Sequence, residues 1–184
     1  LADPAAAQAL RRAVADWTAV EEIDVFDGDA ASFRDAYVTL QGLEIAAALG
    51  PFLATRPAFG PTIRPRFDAV RALDPADGER WRAWRSGTAA RLRGLLPSGT
   101  VLLVPAAPSI APRRFLRDAA AGAFYDAALT LGSIAGHAGL PAISLPVATL
   151  EGCPLGLCLV AGPGDDERLL ALAASLPLRV PAAR

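Results

Sequence analysis

Apolar residues recur every three or four positions along much of this chain, and alternate or run together in a few short stretches. The first stretch, Asp3 to Ala19, predicts a helix, with Asp3 as N-cap, Pro4 at the first helical position, and Leu10, Val14 and Trp17 on one side. Glu22 to Phe26 alternates, which predicts a short strand, and Asp27-Gly28-Asp29 predicts a turn. A second helix is expected from about Ala31 to Leu49, with Phe33, Ala36, Tyr37, Leu40, Leu43 and Ala47 aligned and Gly50-Pro51 as its stop. Pro57, Gly60, Pro61 and Pro65 make Thr55 to Pro65 mostly irregular. A long helix follows from Asp77 to Leu96.

The C-terminal half reads differently. Thr100 to Val104 is a continuous apolar run of strand length, expected to be covered on both faces. A proline-studded loop, Pro105 to Pro112, leads to a helix over Phe115 to Gly132. Ala142 to Val147 and Leu155 to Val160 predict two strands joined through Glu151-Gly152, and Pro146 places the first near a sheet edge or strand end. Asp165 to Leu176 predicts a last helix with Asp165, Asp166 and Glu167 in its first turn, where the helix dipole favours negative charge. The expected fold class is α/β, a mixed β-sheet flanked by helices in a single domain over residues 1–184.

Composition narrows the chemistry. The 184 residues are 53% hydrophobic with a net charge of −1, so a globular core is expected and charge-driven nucleic-acid binding is not. No apolar run reaches the length of a membrane span without interruption by Gly, Pro or charge, so no membrane partner is expected. The start at Leu1, without the basic flank and apolar core of a signal peptide, predicts a processed, trimmed or fragmentary product and a cytoplasmic location. Two cysteines and one histidine argue against a disulfide framework and a zinc site, and no metal or other cofactor is expected. All eighteen basic residues are arginine. A lysine base or Schiff base is therefore excluded, because a guanidinium does not lose its proton near neutral pH.

Several features invite a chemical reading beside a structural one. Arg80-Trp-Arg-Ala-Trp-Arg85 reads as a basic, aromatic binding patch, or as an amphipathic helix with tryptophans inward and arginines outward. Asp77 and Glu79 beside it favour the amphipathic helix. Gly162-Pro-Gly-Asp-Asp166 opens a helix as a phosphate loop does, but its two aspartates would repel phosphate, which leaves helix capping. His137 has no Gly-x-Ser-x-Gly nucleophile to serve, so a loop or helix-end role outweighs catalysis. Cys153 and Cys158 lack local metal partners and are expected to pack in the core.

The segment Gly139-Leu-Pro-Ala-Ile-Ser-Leu-Pro-Val147, with Pro154-Leu-Gly-Leu-Cys-Leu-Val-Ala-Gly162 and Asp166-Glu-Arg-Leu-Leu170 after it, resembles the C-terminal half of amidase-signature enzymes. That family carries a Gly-Leu-Pro-Ala-x-Ser-x-Pro strand, a turn, a Leu-Pro-x-Gly-x-x-Leu-Val-Gly strand and an acidic turn into a helix. Val101-Leu-Leu-Val-Pro-Ala-Ala-Pro108 resembles its Leu-x-x-Pro-Thr-x-Pro segment, with Ala106 in place of threonine. Tyr37 to Glu44, Ala54 to Pro61 and Leu131 to Gly136 look most like the indole-acetamide hydrolase and chloroplast-receptor-like branch. The resemblance covers about residues 30–176.

The resemblance implies the C-terminal part of an α/β/α fold whose complete form hydrolyses a carboxamide to a carboxylate and ammonia. The family does so with a serine nucleophile, a bridging serine and a neutral lysine base, all in the N-terminal half. This chain has neither the lysine nor the Gly/Ser-rich loop, so no catalytic role falls on its residues. By the same resemblance Ala107, Ser109, Ile134 and His137 would form part of the substrate-pocket wall. The implied partners are the N-terminal catalytic half, in the same or a separate chain, and a small-molecule amide. Self-association or a contiguous apolar patch is expected where the sheet is cut from its other half. The alternative is a free-standing, non-catalytic binding or scaffold module derived from the same fold.

Overall fold

The computed structural model describes residues 1–17, 20–61, 63–114 and 119–176. The elements are α1 (Pro4–Ala13), α2 (Ala30–Ala54), α3 (Arg64–Arg71), α4 (Pro75–Leu95), β1 (Val101–Pro105), α5 (Ala119–Ala138), β2 (Ala142–Leu150), β3 (Cys153–Ala161) and α6 (Asp166–Ser175).

The sheet has the order β1-β3-β2, and both of its strand pairs are antiparallel. This corrects the expected mixed sheet. The physical reason is the tight turn between β2 and β3, where Glu151 (φ 52°) and Gly152 (φ 76°) both take the left-handed conformation that a two-residue hairpin requires. That hairpin sets β3 against β2, and β1 then pairs on the far side of β3, from Val101 opposite Ala161 to Pro105 opposite Leu157. Pro146 lies on the edge strand β2, beside a register shift between Pro146 and Ala148.

Central strand β3 is buried along one face and, on the other, fully only at Val160. Leu155, Leu157, Leu159 and Ala161 join Ala6, Ala9 and Leu10 of α1, Val147 of β2 and Leu169 of α6 in one cluster. Val160 points the other way, toward Phe33, Leu92, Leu96, Val104, Ile134, Ala138 and Leu140. The period-two alternation of the strand thus sorts its side chains into two cores, with α1 and α6 on one face and the α2, α4 and α5 group on the other.

Local chemistry explains where the helices begin and end. Asp3 caps α1 as expected, accepting from the backbone N–H groups of Ala5 and Ala6 at 2.9 and 3.2 Å. The helix ends at Ala13, short of the expected Ala19. Residues 22–26 form no strand. The Asp24 carboxylate accepts from the N–H groups of Phe26 (3.0 Å) and Gly28 (2.8 Å), which uses locally the groups that a ladder would need. Helix α2 runs past Gly50-Pro51 to Ala54. The carbonyl that Pro51 leaves without a donor belongs to exposed Ala47, where water can serve it. The expected helix over Phe115 to Gly132 is α5, shifted toward the C-terminus; residues 115–118 lie outside the described residues. Helix α3 was not legible in the sequence.

Asp165 does not cap α6 with its side chain. Its carboxylate accepts instead from Ser98 Oγ at 3.2 Å and the Gly99 N–H at 3.3 Å, tying the start of α6 to the turn before β1.

Candidate functional site

Two shallow hollows indent the described surface. The smaller, about 110 Å³, lies on the sheet face beside α5. Val104, Pro105 and Ala106 form one side, Leu131, Gly132 and Ala135 of α5 another, and Ala142, Ser144, Cys158 and Val160 the floor. The larger, about 200 Å³, sits between α6 and the start of β1 and includes Gly99, Thr100, Asp165 and Arg168. Its charged groups serve one another, since Arg168 Nη1 donates to Ser98 Oγ at 2.6 Å and that hydroxyl faces Asp165.

Within the smaller hollow the polar side chains are Ser144 and Cys158. Burial pushes the Cys158 thiol up from its ordinary range, and a hydrogen bond with Ser144 opposes that shift in part. No histidine or carboxylate side chain lines this hollow. It therefore offers an apolar surface with one hydroxyl and one protonated thiol, and no base to activate either.

The four residues expected to line a pocket fall in two places. Ala107 and Ser109 are half-buried on the loop after β1, next to Ala106 but outside the smaller hollow. Ile134 and His137 project from α5 into the second core and are 0% and 6% exposed. None of the four borders either hollow.

The surroundings of His137 are those of a packed side chain. Its Nε2 lies 2.8 Å from the Phe33 carbonyl oxygen. That nitrogen must carry the proton, because a carbonyl can only accept. The rings of Phe33, Tyr37 and Trp84 meet the imidazole edge-to-face at 5.6, 6.2 and 5.3 Å. Burial holds its pKa below the ordinary 6.5; the hydrogen bond to Phe33 pulls it upward, and the Arg85 charge lowers it further. A neutral imidazole with one nitrogen donating to the backbone and an aromatic collar bridges α5 to α2. Ser133, also buried, donates to the Thr130 carbonyl at 2.8 Å within its own helix.

The Arg/Trp segment of α4 resolves toward structure. Trp84 packs against the second core, and Arg80 stacks over Trp81 at 4.6 Å while pairing with Asp77. Sequence reading missed the work of Arg91 and Arg93, which donate to the carbonyls of Val25 and Ala138. Nothing local marks either partner, since they are 66 and 45 residues away. Among the described residues, no group of three or more His, Cys, Asp or Glu side chains could hold a metal ion.

No family model matches the chain. Over 124 residues it is 35% identical to Amidase 1 of Arabidopsis thaliana, an alignment covering 67% of this chain and 29% of that protein. A crystal structure of an amidase superposes with a TM-score of 0.78 at 28% identity, covering 94% of this chain and 41% of the other. A bacterial aryl acylamidase of the amidase-signature family shares the fold with a TM-score of 0.72 at 15% identity, covering 94% of this chain and 40% of its own. The chain thus spans less than a third of that Arabidopsis relative and about two-fifths of these two solved chains. It is a homologue of amidase-signature enzymes that corresponds to a portion of their length.

Proposed function

We propose that this chain is the C-terminal portion of an amidase-signature hydrolase, closest in kind to the indole-acetamide hydrolase-like branch. Its complete form would hydrolyse a carboxamide to carboxylate and ammonia by Ser-Ser-Lys catalysis. The observation that carries this reading is the match of nearly the whole fold to two-fifths of an amidase, in a chain without a single lysine. Neutral lysine takes the proton that activates the nucleophile in that chemistry, and arginine cannot substitute. The contribution of this portion is structural: part of the sheet and part of the wall around the substrate. On this reading Ala107 and Ser109 face the acyl pocket from the loop after β1, while Ile134 and His137 back that wall from the core.

The exposed face of α5 supports a missing neighbour. Gly122, Tyr125, Leu129, Gly132 and Gly136 lie on it at alternating spacings of three and four, all exposed, with Tyr125 52% and Leu129 38% accessible. Exposed mid-helix glycines cost about 0.5–1 kcal/mol each relative to alanine, a cost that close packing of another element would offset. The remaining length of an amidase would supply that element, from the same chain or a separate one. The protein would act in the cytoplasm.

The second reading, a non-catalytic binding or scaffold module, is favoured by the blunted edge of β2. Pro146 and the adjacent bulge discourage pairing with a further strand, as a permanently free edge requires. One experiment separates the two. Purified chain is assayed against primary amides, including an aryl acetamide, alone and with the polypeptide encoded upstream of Leu1. Turnover only in the presence of an upstream lysine-containing segment is expected. Serine-reagent-sensitive turnover by the chain alone would refute the proposed division of labour. A start codon at this boundary, with no activity in any combination, would establish the module.

A further inference from the structure

Helix α2 leaves the two main cores halfway along its length, and in its far half only Leu53 is buried. Its first half buries Phe33, Ala36, Leu40 and Gly42, and Gly42 meets the Leu73 side chain just before α4 begins. Beyond that point α2 continues through Ile45 to Ala54 as ten residues without charge before Arg56 is reached two positions further on, and Leu49 and Phe52 are 39% and 52% exposed. This half, the following turn and α3 make a tip with its own small aromatic core. Phe59 stacks on Phe67 at 4.3 Å and 11°, and Phe52 meets Phe59 at 6.3 Å. Arg71 Nη2 closes the end of α2 on the Leu53 carbonyl at 2.9 Å.

Charge on this tip is predominantly positive. From Ile45 to Arg71 the chain contains Arg56, Arg64, Arg66 and Arg71 against a single acid, Asp68, which pairs with Arg71 at 3.6 Å and leaves the other three arginines. All three arginines are exposed, and none pairs with a carboxylate among the described residues. Arg56 even occupies a left-handed backbone position (φ 52°) at the helix end, where glycine would be less strained. Exposed Ile63, 42% accessible, sits among them. The whole molecule carries a net charge of −1, so this concentration is local and not a reflection of overall basicity.

We propose that the α2–α3 tip docks on an anionic lipid bilayer, seating Phe52, Ile63 and Leu49 at the headgroup–acyl boundary while Arg56, Arg64 and Arg66 meet lipid phosphates and carboxylates. Apolar and aromatic side chains flanked by arginines at a projecting helical end match that boundary, which is apolar on one side and negatively charged on the other. Helix α2 is the one described helix long and apolar enough to cross a membrane, yet its first half is locked into the protein core, so it contacts the surface without spanning it. The proposal is independent of the hydrolase reading.

Co-sedimentation of the full chain with vesicles tests it. Phosphatidylcholine vesicles containing phosphatidylserine, which carries the anionic headgroup, are compared with pure phosphatidylcholine. Binding to the first only, weakened as salt screens the charge, is expected. Arg56→Gln/Arg64→Gln/Arg66→Gln should weaken partitioning by about fivefold per arginine, on the order of 100-fold together. The control Arg80→Gln/Arg82→Gln/Arg85→Gln removes as many charges from α4 and should leave binding unchanged. Phe52→Trp should show, at saturating anionic vesicles, a blue shift in the emission that remains after subtracting that of the wild-type chain with its three native tryptophans. Absence of binding to anionic vesicles, equal binding to both vesicle types, or equal loss in the two triple variants each overturns the proposal. So does a Phe52→Trp signal that appears only as the chain self-associates without vesicles, which would make a second copy the occupant.

Discussion

Arg93 of α4 holds the last turn of α5 through the Ala138 carbonyl oxygen, which accepts from Nε at 2.9 Å and from Nη2 at 2.7 Å. The same helix end is shaped by Gly139 (φ 60°) and by the Leu140 N–H, which bonds back to the Ala135 carbonyl at 3.0 Å. Arg93 thus satisfies a carbonyl that the helix itself leaves open, and it does so immediately before the strand β2. Replacing it by alanine should cost about 1–2 kcal/mol, since a charged donor is lost and the side chain is partly solvated. For a chain of this size that lowers Tm by about 3–6 °C in a thermal melt. Arg93→Lys should recover only part of the loss, because an ammonium cannot reproduce the planar fork.

Gly162 marks a close crossing at the end of β3. A Cβ there would run into the Leu96 carbonyl oxygen, a backbone atom that cannot swing aside. Gly162→Ala should therefore destabilise the chain by about 1–3 kcal/mol, read as a lower denaturant midpoint. Gly132→Ala provides the contrast: nothing lies within 4 Å of its Cβ position, so stability should hold or rise slightly.

His137 makes stability depend on pH in a definite direction. Its folded pKa lies below the unfolded value of 6.5, so below that pH the unfolded chain binds more protons than the folded one. The contribution is fully present above 6.5 and is lost as pH falls through the folded pKa. Melting temperature should rise with pH across this window. In His137→Phe that histidine-linked slope should vanish, and a slope unchanged by the substitution would show the imidazole to be free of the burial described.

Cys158 should react slowly. Burial raises its thiol pKa, so little thiolate is present at neutral pH, and alkylation of folded protein should lag well behind that of unfolded chain. Ser144→Ala removes the hydrogen bond that favours the thiolate, so the pH midpoint of alkylation should move higher still. Mass spectrometry of the peptide containing Cys158 reads both rates.

The hairpin from Ala142 to Val160 was legible in the sequence because its signals are local: alternation, a Glu-Gly turn and a proline at an edge. The same holds for the Asp3 cap and for α4. The expected strand at residues 22–26 was not realised, since its alternation had no partner strand and Asp24 took the backbone donors. The role of His137 was legible only as an isolated residue in a glycine-flanked segment. Its partner Phe33 lies 104 positions earlier, a separation that no spacing rule reaches. The site was less legible than the fold for that reason: which side chains share a cavity depends on how β1, α5 and β3 come together.

By itself the sequence determined the places of the three strands and of five of the six described helices, and the exclusion of lysine chemistry. Those properties reside in neighbouring residues or in composition: propensity, caps, turn conformations and the presence of a titratable amine. Only the tertiary structure decided that the sheet is antiparallel, that Ile134 and His137 are core residues, that Asp165 ties α6 to the turn before β1, and that α2 runs out of the core as a basic, aromatic tip. Each of these depends on groups far apart in the chain meeting under close packing, where a buried donor must find an acceptor and an apolar face must find a cover.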